Sequence, residues 1–189
     1  MKVFLIKTIL SIALIYILLI GVIFFYQRSL MYFPQDGVTD DVAKDILPIA
    51  DIIQVTTEDN INLKAYLIPP KDISKPIILA FHGNASLAIY MAEQFDQIIE
   101  EGAGVLFAEY RGYGGNSGEP TEQGLYKDSS AYLDYIRQYY PKHKVIAYGQ
   151  SLGSAIAVDI VYKNPDKFSA LILEVPFDSA INIANKAYP

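Results

Sequence analysis

The stretch "KVIAYGQSLGSAIAVDIV" sets a serine, Ser151, between Gly149 and Gly153. The run before it, rich in β-branched and aromatic residues, suits a strand. The run after it suits a helix of small residues, with Ser154, Ala155 and Ala157 near its start. A chain that passes from strand to helix within one or two residues must bend sharply. Side chains beside such a bend have no room, which accounts for glycine on both sides. Ser151 is then lifted over the edge of a sheet, with a helix N-terminus and its unpaired N–H groups beneath it. That is the G-x-S-x-G pattern of an activated nucleophile, and Leu152 N–H is placed to donate to a developing oxyanion. The blander reading is a serine that caps the following helix.

The segments around it alternate. "IIQVTT" and "INLKAYLIPP", separated by "EDN", read as an antiparallel pair. "PIILAF", "GVLFAEY", "KVIAY" and "ALILEV" are short unbroken apolar runs, the mark of strands buried on both faces. Between them lie three stretches that suit helices, "SLAIYMAEQFDQIIEEG", closed by Gly102, "TEQGLYKDSSAYLDYIRQYY", capped by Thr121, and "SLGSAIAVDIVYKN", stopped before Pro165. The expected fold class is α/β, a doubly wound, mostly parallel sheet with an antiparallel pair leading in. Chemistry in such sheets collects at the carboxyl ends of the strands.

Two further motifs fall there. "HGNAS", His82 to Ser86, follows "PIILAF". A turn one strand unit before a nucleophile bend supplies a second oxyanion donor, here Asn84 N–H, with Gly83 permitting close approach. "EYRGYGGNSGEP" follows the next strand, and its Arg111 is expected to pin a tight glycine-rich loop rather than to bind substrate. No G-K-[ST] follows those glycines, so a nucleotide loop is not indicated.

Upstream, "ILSIALIYILLIGVIFFY", Ile9 to Tyr26, is uncharged and would span roughly 27 Å as a helix. Its length and bulky aromatic end favour a retained signal anchor over a cleaved signal peptide. Lys2 and Lys7 precede it and Arg28 follows, so the positive-inside rule favours a cytoplasmic N-terminus. The globular part would then lie on the outer side, periplasmic, luminal or extracellular. The expected division is residues 1–8 as a short cytoplasmic segment, 9–26 as the membrane anchor, 27–50 as a connector and 51–189 as a partial α/β domain. A net charge of -6 and a pI near 4.8 argue against a nucleic-acid partner. With no cysteine there is no thiolate or disulfide chemistry. No cofactor or metal is expected, since a serine mechanism requires none.

"FHGNAS", "YRGYGGNSGEPTEQGLYKD", "YGQSLGSAIA" and "LEVPFDS" stand in the order and spacing of the α/β-hydrolase superfamily. The chain most resembles its BEM46-type, ABHD13-like branch of membrane-anchored proteins, over roughly residues 27 to 189. The resemblance implies Ser151 as nucleophile, Leu152 and Asn84 as oxyanion donors, and His82, Gly83, Gly149 and Gly153 as the structural turns around them. It implies hydrolysis of ester, thioester or peptide-like amide bonds in a small acyl or peptide-like substrate.

A serine of this kind needs a histidine base and an acid that orients it. In the superfamily both follow the serine, but the two histidines here, His82 and His143, precede it. His143 lies at the far end of the Ser151 strand, roughly 16 Å away at about 3.3 Å per residue. His82 occupies the oxyanion turn. Asp178, in "PFDS", is the one downstream acid near a strand end, and a weak one for the role. The expectation is therefore a hydrolase whose base and acid lie outside these residues and whose own activity is weak. A separate chain could supply the remaining strands, and a non-catalytic membrane-anchored remnant or binding module of the same fold is the alternative. The "ALILEV" strand is expected at an exposed sheet edge.

Overall fold

The computed structural model describes residues 2–179, 182 and 185. The end of the expected domain, residues 186–189, lies outside them. The chain divides into two units, Met1–Phe33 and Pro34–Pro189.

The first unit is a single helix, α1 (Lys2–Met31), longer at both ends than the predicted 9–26 anchor. Within its stretch Phe4–Met31 an 18-residue window reaches a mean hydropathy of 2.8, with none of that window buried. It is therefore long and apolar enough to cross a bilayer.

In the second unit, the predicted connector contains a short helix, α2 (Asp40–Ile46), begun by Thr39, whose Oγ1 accepts from Val42 N. Strands β1 (Asp51–Thr56) and β2 (Asn62–Ile68) then pair antiparallel. Asn60 takes a positive φ of 62° at the turn between them, and Thr57 closes it by accepting from Ile61 N. Four strands follow: β3 (Ile77–Phe81), β4 (Gly104–Ala108), β5 (Val145–Gln150) and β6 (Ala170–Glu174). The sheet order is β1-β2-β4-β3-β5-β6, antiparallel through β2 and β4 and parallel from there on. Every residue of β3 and β4 is buried, as their unbroken apolar runs require.

The stretch after β3 departs from the expected single helix. It runs as 3₁₀ turns over Ala88–Phe95 and becomes α3 (Asp96–Glu100) only at its end, stopped at Gly102 with φ 93°. These turns and α2 share a core with Tyr66, Ile78, Val105 and Phe107 of the sheet. The other helices are α4 (Glu122–Tyr139), capped by Thr121 accepting from Gly124 N, and α5 (Leu152–Lys163). They pack on each other and against the sheet.

β6 ends the sheet, and its Leu171 and Ile172 are exposed. Apolar edge strands pair with other chains. Residues 27–189 alone are accordingly expected to elute as aggregates in size-exclusion chromatography. A cooperatively melting monomer would contradict this.

Candidate active site

Parallel register aligns the carboxyl ends of three neighbouring strands. Phe81 of β3 lies opposite Ala108 of β4 and Gly149 of β5. The residues that follow, His82, Glu109 and Ser151, therefore emerge along one rim of the sheet.

Ser151 has φ 49° and ψ -114°, a conformation that a residue with a side chain adopts only at a cost of about 1–3 kcal/mol. Its backbone is held on both sides. Ser151 N donates to Glu174 O of β6 at 3.0 Å, and its carbonyl accepts from Ser154 N at 2.9 Å. Although Ser151 stands at the N-cap position of α5, its side chain makes no capping hydrogen bond. The helix-cap reading thus fails on geometry: a hydroxyl there to cap would accept from the second or third N–H of the helix.

The flanking glycines answer to backbone, not to side chains. A Cβ on Gly149 would lie 2.3 Å from Gly153 O, and one on Gly153 would lie 2.1 Å from Phe81 O. The end of β3, the end of β5 and the first turn of α5 are thus stacked main chain on main chain. Gly83 belongs to the same cluster, since a Cβ there would sit 3.5 Å from the Ser151 Cβ. Asn84, one residue on, begins a turn in which Ala85 takes φ 54°. Its side-chain Oδ1 accepts from Ala85 N at 3.1 Å and from Tyr113 Oη at 2.7 Å.

His82 is fully buried, with a polar oxygen beside each ring nitrogen. Nδ1 lies 2.8 Å from Gly83 O, and Nε2 lies 2.8 Å from Glu109 Oε1, itself buried. A carbonyl only accepts, so Nδ1 carries hydrogen; Nε2 and Glu109 Oε1 lie close together but form no hydrogen bond. The ring also stacks on Tyr110, whose hydroxyl donates to His82 O. In this arrangement the His82 ring is packed within the turn and makes no hydrogen bond to Ser151. His143 lies before the start of β5, at the opposite rim, with Nδ1 2.9 Å from Lys75 O. Among the described residues, neither histidine is presented to the serine.

Asp178 follows β6 on an exposed stretch, where its carboxylate accepts from Ser179 N and from the Asn182 side-chain amide. Arg111 is buried and grips two acids. Its N and Nε donate to Asp128 of α4 at 2.9 and 2.8 Å, and its terminal nitrogens reach Asp59 of the β1–β2 turn at 2.9 and 3.1 Å. Hydrogen bonds from Arg111, then from Thr57, hold the Asp59 carboxyl well below the usual carboxylate range. Burial pushes the Asp128 carboxyl up despite the same guanidinium. No cluster of acids and histidines among the described residues is placed to hold a metal ion.

Sequence reasoning does not single out Glu109 or Tyr113, yet they connect this site. Glu109 can be found only by knowing that β3 and β4 are parallel neighbours in register, which puts 82 beside 109.

A mostly parallel sheet flanked by helices, a strained serine at a strand-to-helix bend and a glycine turn beside it define an α/β-hydrolase. The chain belongs to the family described as serine aminopeptidase, S33, whose profile matches residues 72–186, and to the BEM46-like branch of the superfamily. It is 34% identical over 182 residues to the protein bem46 of Schizosaccharomyces pombe, covering 90% of this chain and 60% of that one. To the Saccharomyces cerevisiae membrane protein YNL320W it is 29% identical, over 72% of this chain and 49% of the other. The fold is shared with the Pyrococcus furiosus esterase Pf2001, at a TM-score of 0.61 and 23% identity, covering 73% of this chain and 55% of the esterase. The chain thus spans about half to two thirds of the length of such curated relatives.

Proposed function

We propose that this chain carries the nucleophile and oxyanion half of a membrane-anchored serine hydrolase acting on ester, thioester or peptide-like amide bonds. The observation that carries the proposal is Ser151 itself: a side-chain residue kept at positive φ, at the start of a helix it does not cap. Strain of this kind persists where the surrounding structure imposes it, and such sites are most often functional. In the proposed reaction Ser151 Oγ attacks the acyl carbon. Charge gathering on the carbonyl oxygen is met by Leu152 N–H, at the head of α5, and by Asn84 N–H across the rim.

The proton released by Ser151 needs a base within about 3 Å. Because His82 is packed within the turn and His143 stands at the other rim, the proposed base and its orienting acid lie outside residues 1–189. They would come from further sequence or from a second polypeptide. Lys2 and Lys7 stand before the apolar run and Arg28 after it, so the proposed orientation keeps the N-terminus in the cytoplasm.

The test is labelling of the purified full chain by a fluorophosphonate probe. Weak labelling is expected, abolished by Ser151→Ala, because loss of the base costs on the order of 10⁶ in turnover. Strong labelling would overturn the claim that the base is absent from this chain. Labelling unaffected by Ser151→Ala would overturn the nucleophile. A non-catalytic module of the same fold is the second reading, favoured by the placement of both histidines elsewhere. It requires that the chain stay inert even when the coding sequence beyond Pro189, or a complementing polypeptide, is supplied.

A further inference from the structure

The oxyanion turn is tied to the segment that leads out of the apolar helix. Gln35 O accepts from Gly114 N at 3.1 Å, and a Cβ on Gly37 would lie 2.2 Å from Gly114 O. Residues 35–37 therefore press on the main chain at Gly114. From its other side Gly114 meets Glu109, because a Cβ there would lie 2.4 Å from the Glu109 Cγ. Glu109 Oε1 lies beside His82 Nε2, and its Oε2 accepts from Ala88 N at 3.0 Å. Immediately before Gly114 comes Tyr113, fully buried, with its ring edge-on to His82 and its hydroxyl on Asn84 Oδ1 at 2.7 Å.

We infer that Tyr113 is a positioning residue for the oxyanion turn, and that the Gln35–Gly37 segment sets its placement through Gly114. The inference rests on the hydrolase reading only for its consequence, since the contacts themselves do not depend on it. The turn needs such support. Ala85 holds a left-handed conformation that costs a non-glycine residue free energy, and the Asn84 side chain is what bridges it. The Tyr113 hydroxyl fixes that side chain from outside the turn. Its ring packs against His82 and Tyr110 and would do so equally as phenylalanine. The hydroxyl therefore serves orientation, not packing. A pull or push on residues 35–37 reaches an oxyanion donor through two close main-chain contacts and one hydrogen bond.

Two variants of the full chain in detergent micelles test this: Tyr113→Phe, which removes one hydroxyl, and Gly37→Ala, which forces a methyl group against Gly114 O. Amide hydrogen exchange is followed for residues 83–88, with β1 and α5 as internal references. In Tyr113→Phe the turn is expected to exchange about fivefold to tenfold faster, the effect of losing one part-buried hydrogen bond, while β1 and α5 are unchanged. Gly37→Ala is expected to act on the same peptide in the same direction. Unchanged exchange at 83–88 in Tyr113→Phe, or a parallel rise throughout the domain, overturns the inference. Fluorophosphonate labelling is measured alongside, together with the base-supplying sequence where needed. Tyr113→Phe should lower the maximal labelling rate about tenfold, with the half-saturating probe concentration unchanged, because a loosened oxyanion donor loses part of its transition-state contribution. If the unmodified protein never labels, the nucleophile reading has failed and the exchange result alone decides the positioning role.

Discussion

Gly153→Ala is expected to remove about 3 kcal/mol or more of stability, well above the effect of placing alanine at Gly115. A methyl group at 153 would lie 2.1 Å from Phe81 O, 2.6 Å from Phe81 C and 2.8 Å from His82 O. All three are backbone atoms, so no side chain can swing aside. Relief requires α5 to lift from the end of β3, and that opens the β3–β5 ladder in which Phe81 pairs with Gly149. Gly115 is the proper control. It has φ 82° and nothing within 4 Å of the place a methyl group would take, so alanine there costs only the left-handed conformation, about 1–2 kcal/mol. Urea unfolding followed by near-UV circular dichroism of the buried tyrosines separates the two. A Gly153→Ala midpoint no lower than that of Gly115→Ala would mean that the three main-chain segments are not in contact, and the bend that raises Ser151 would lose its physical basis.

What the sequence made legible follows from how local each signal is. The strand-to-helix bend at Ser151, the cap at Thr121 and the antiparallel pair around Glu58–Asn60 each involve a few consecutive residues, and each stands where its pattern indicates. The 3₁₀ segment over 88–95 is hidden because apolar residues three and four apart serve either helix type. Helix α2 does leave a signal: Thr39 followed by Asp40 and Asp41 is a capping residue ahead of acids in a first turn. The contacts that matter most to the site are not legible. Glu109 with His82 spans 27 positions of sequence and Gly37 with Gly114 spans 77, counted along the chain. The first follows from strand order, and nothing in the sequence places β2 beside β4 or β4 beside β3; the second joins two loops that the sequence does not pair.

Arg111→Met is expected to cost about 3–5 kcal/mol and to reverse the dependence of stability on acid. The arginine joins three elements: the β1–β2 turn through Asp59, its own loop after β4, and α4 through Asp128. Gly124 makes room for it, since a Cβ there would lie 2.7 Å from the Arg111 Cδ. Asp128 is fully buried, so removing the guanidinium strands a carboxylate without a counter-charge. The two acids respond to pH in opposite senses. Asp59, held low, contributes stability that is present above about pH 4 and lost as pH falls through its depressed value. Asp128, pushed up by burial, favours the folded state when protonated, and that contribution fades as pH rises through its folded value. In Arg111→Met the first contribution shrinks to what the Thr57 hydroxyl sustains, and the second grows, because Asp128 then lacks its partner. The unmodified protein should therefore lose stability on acidification below about pH 4, whereas the variant should gain stability as pH falls through the raised folded value of Asp128. Adding Asp128→Asn to the variant should recover much of the loss at pH 7, because the neutral amide no longer calls for a counter-charge. A double variant as unstable as Arg111→Met alone would show that the cost lies in lost packing rather than in the stranded carboxylate.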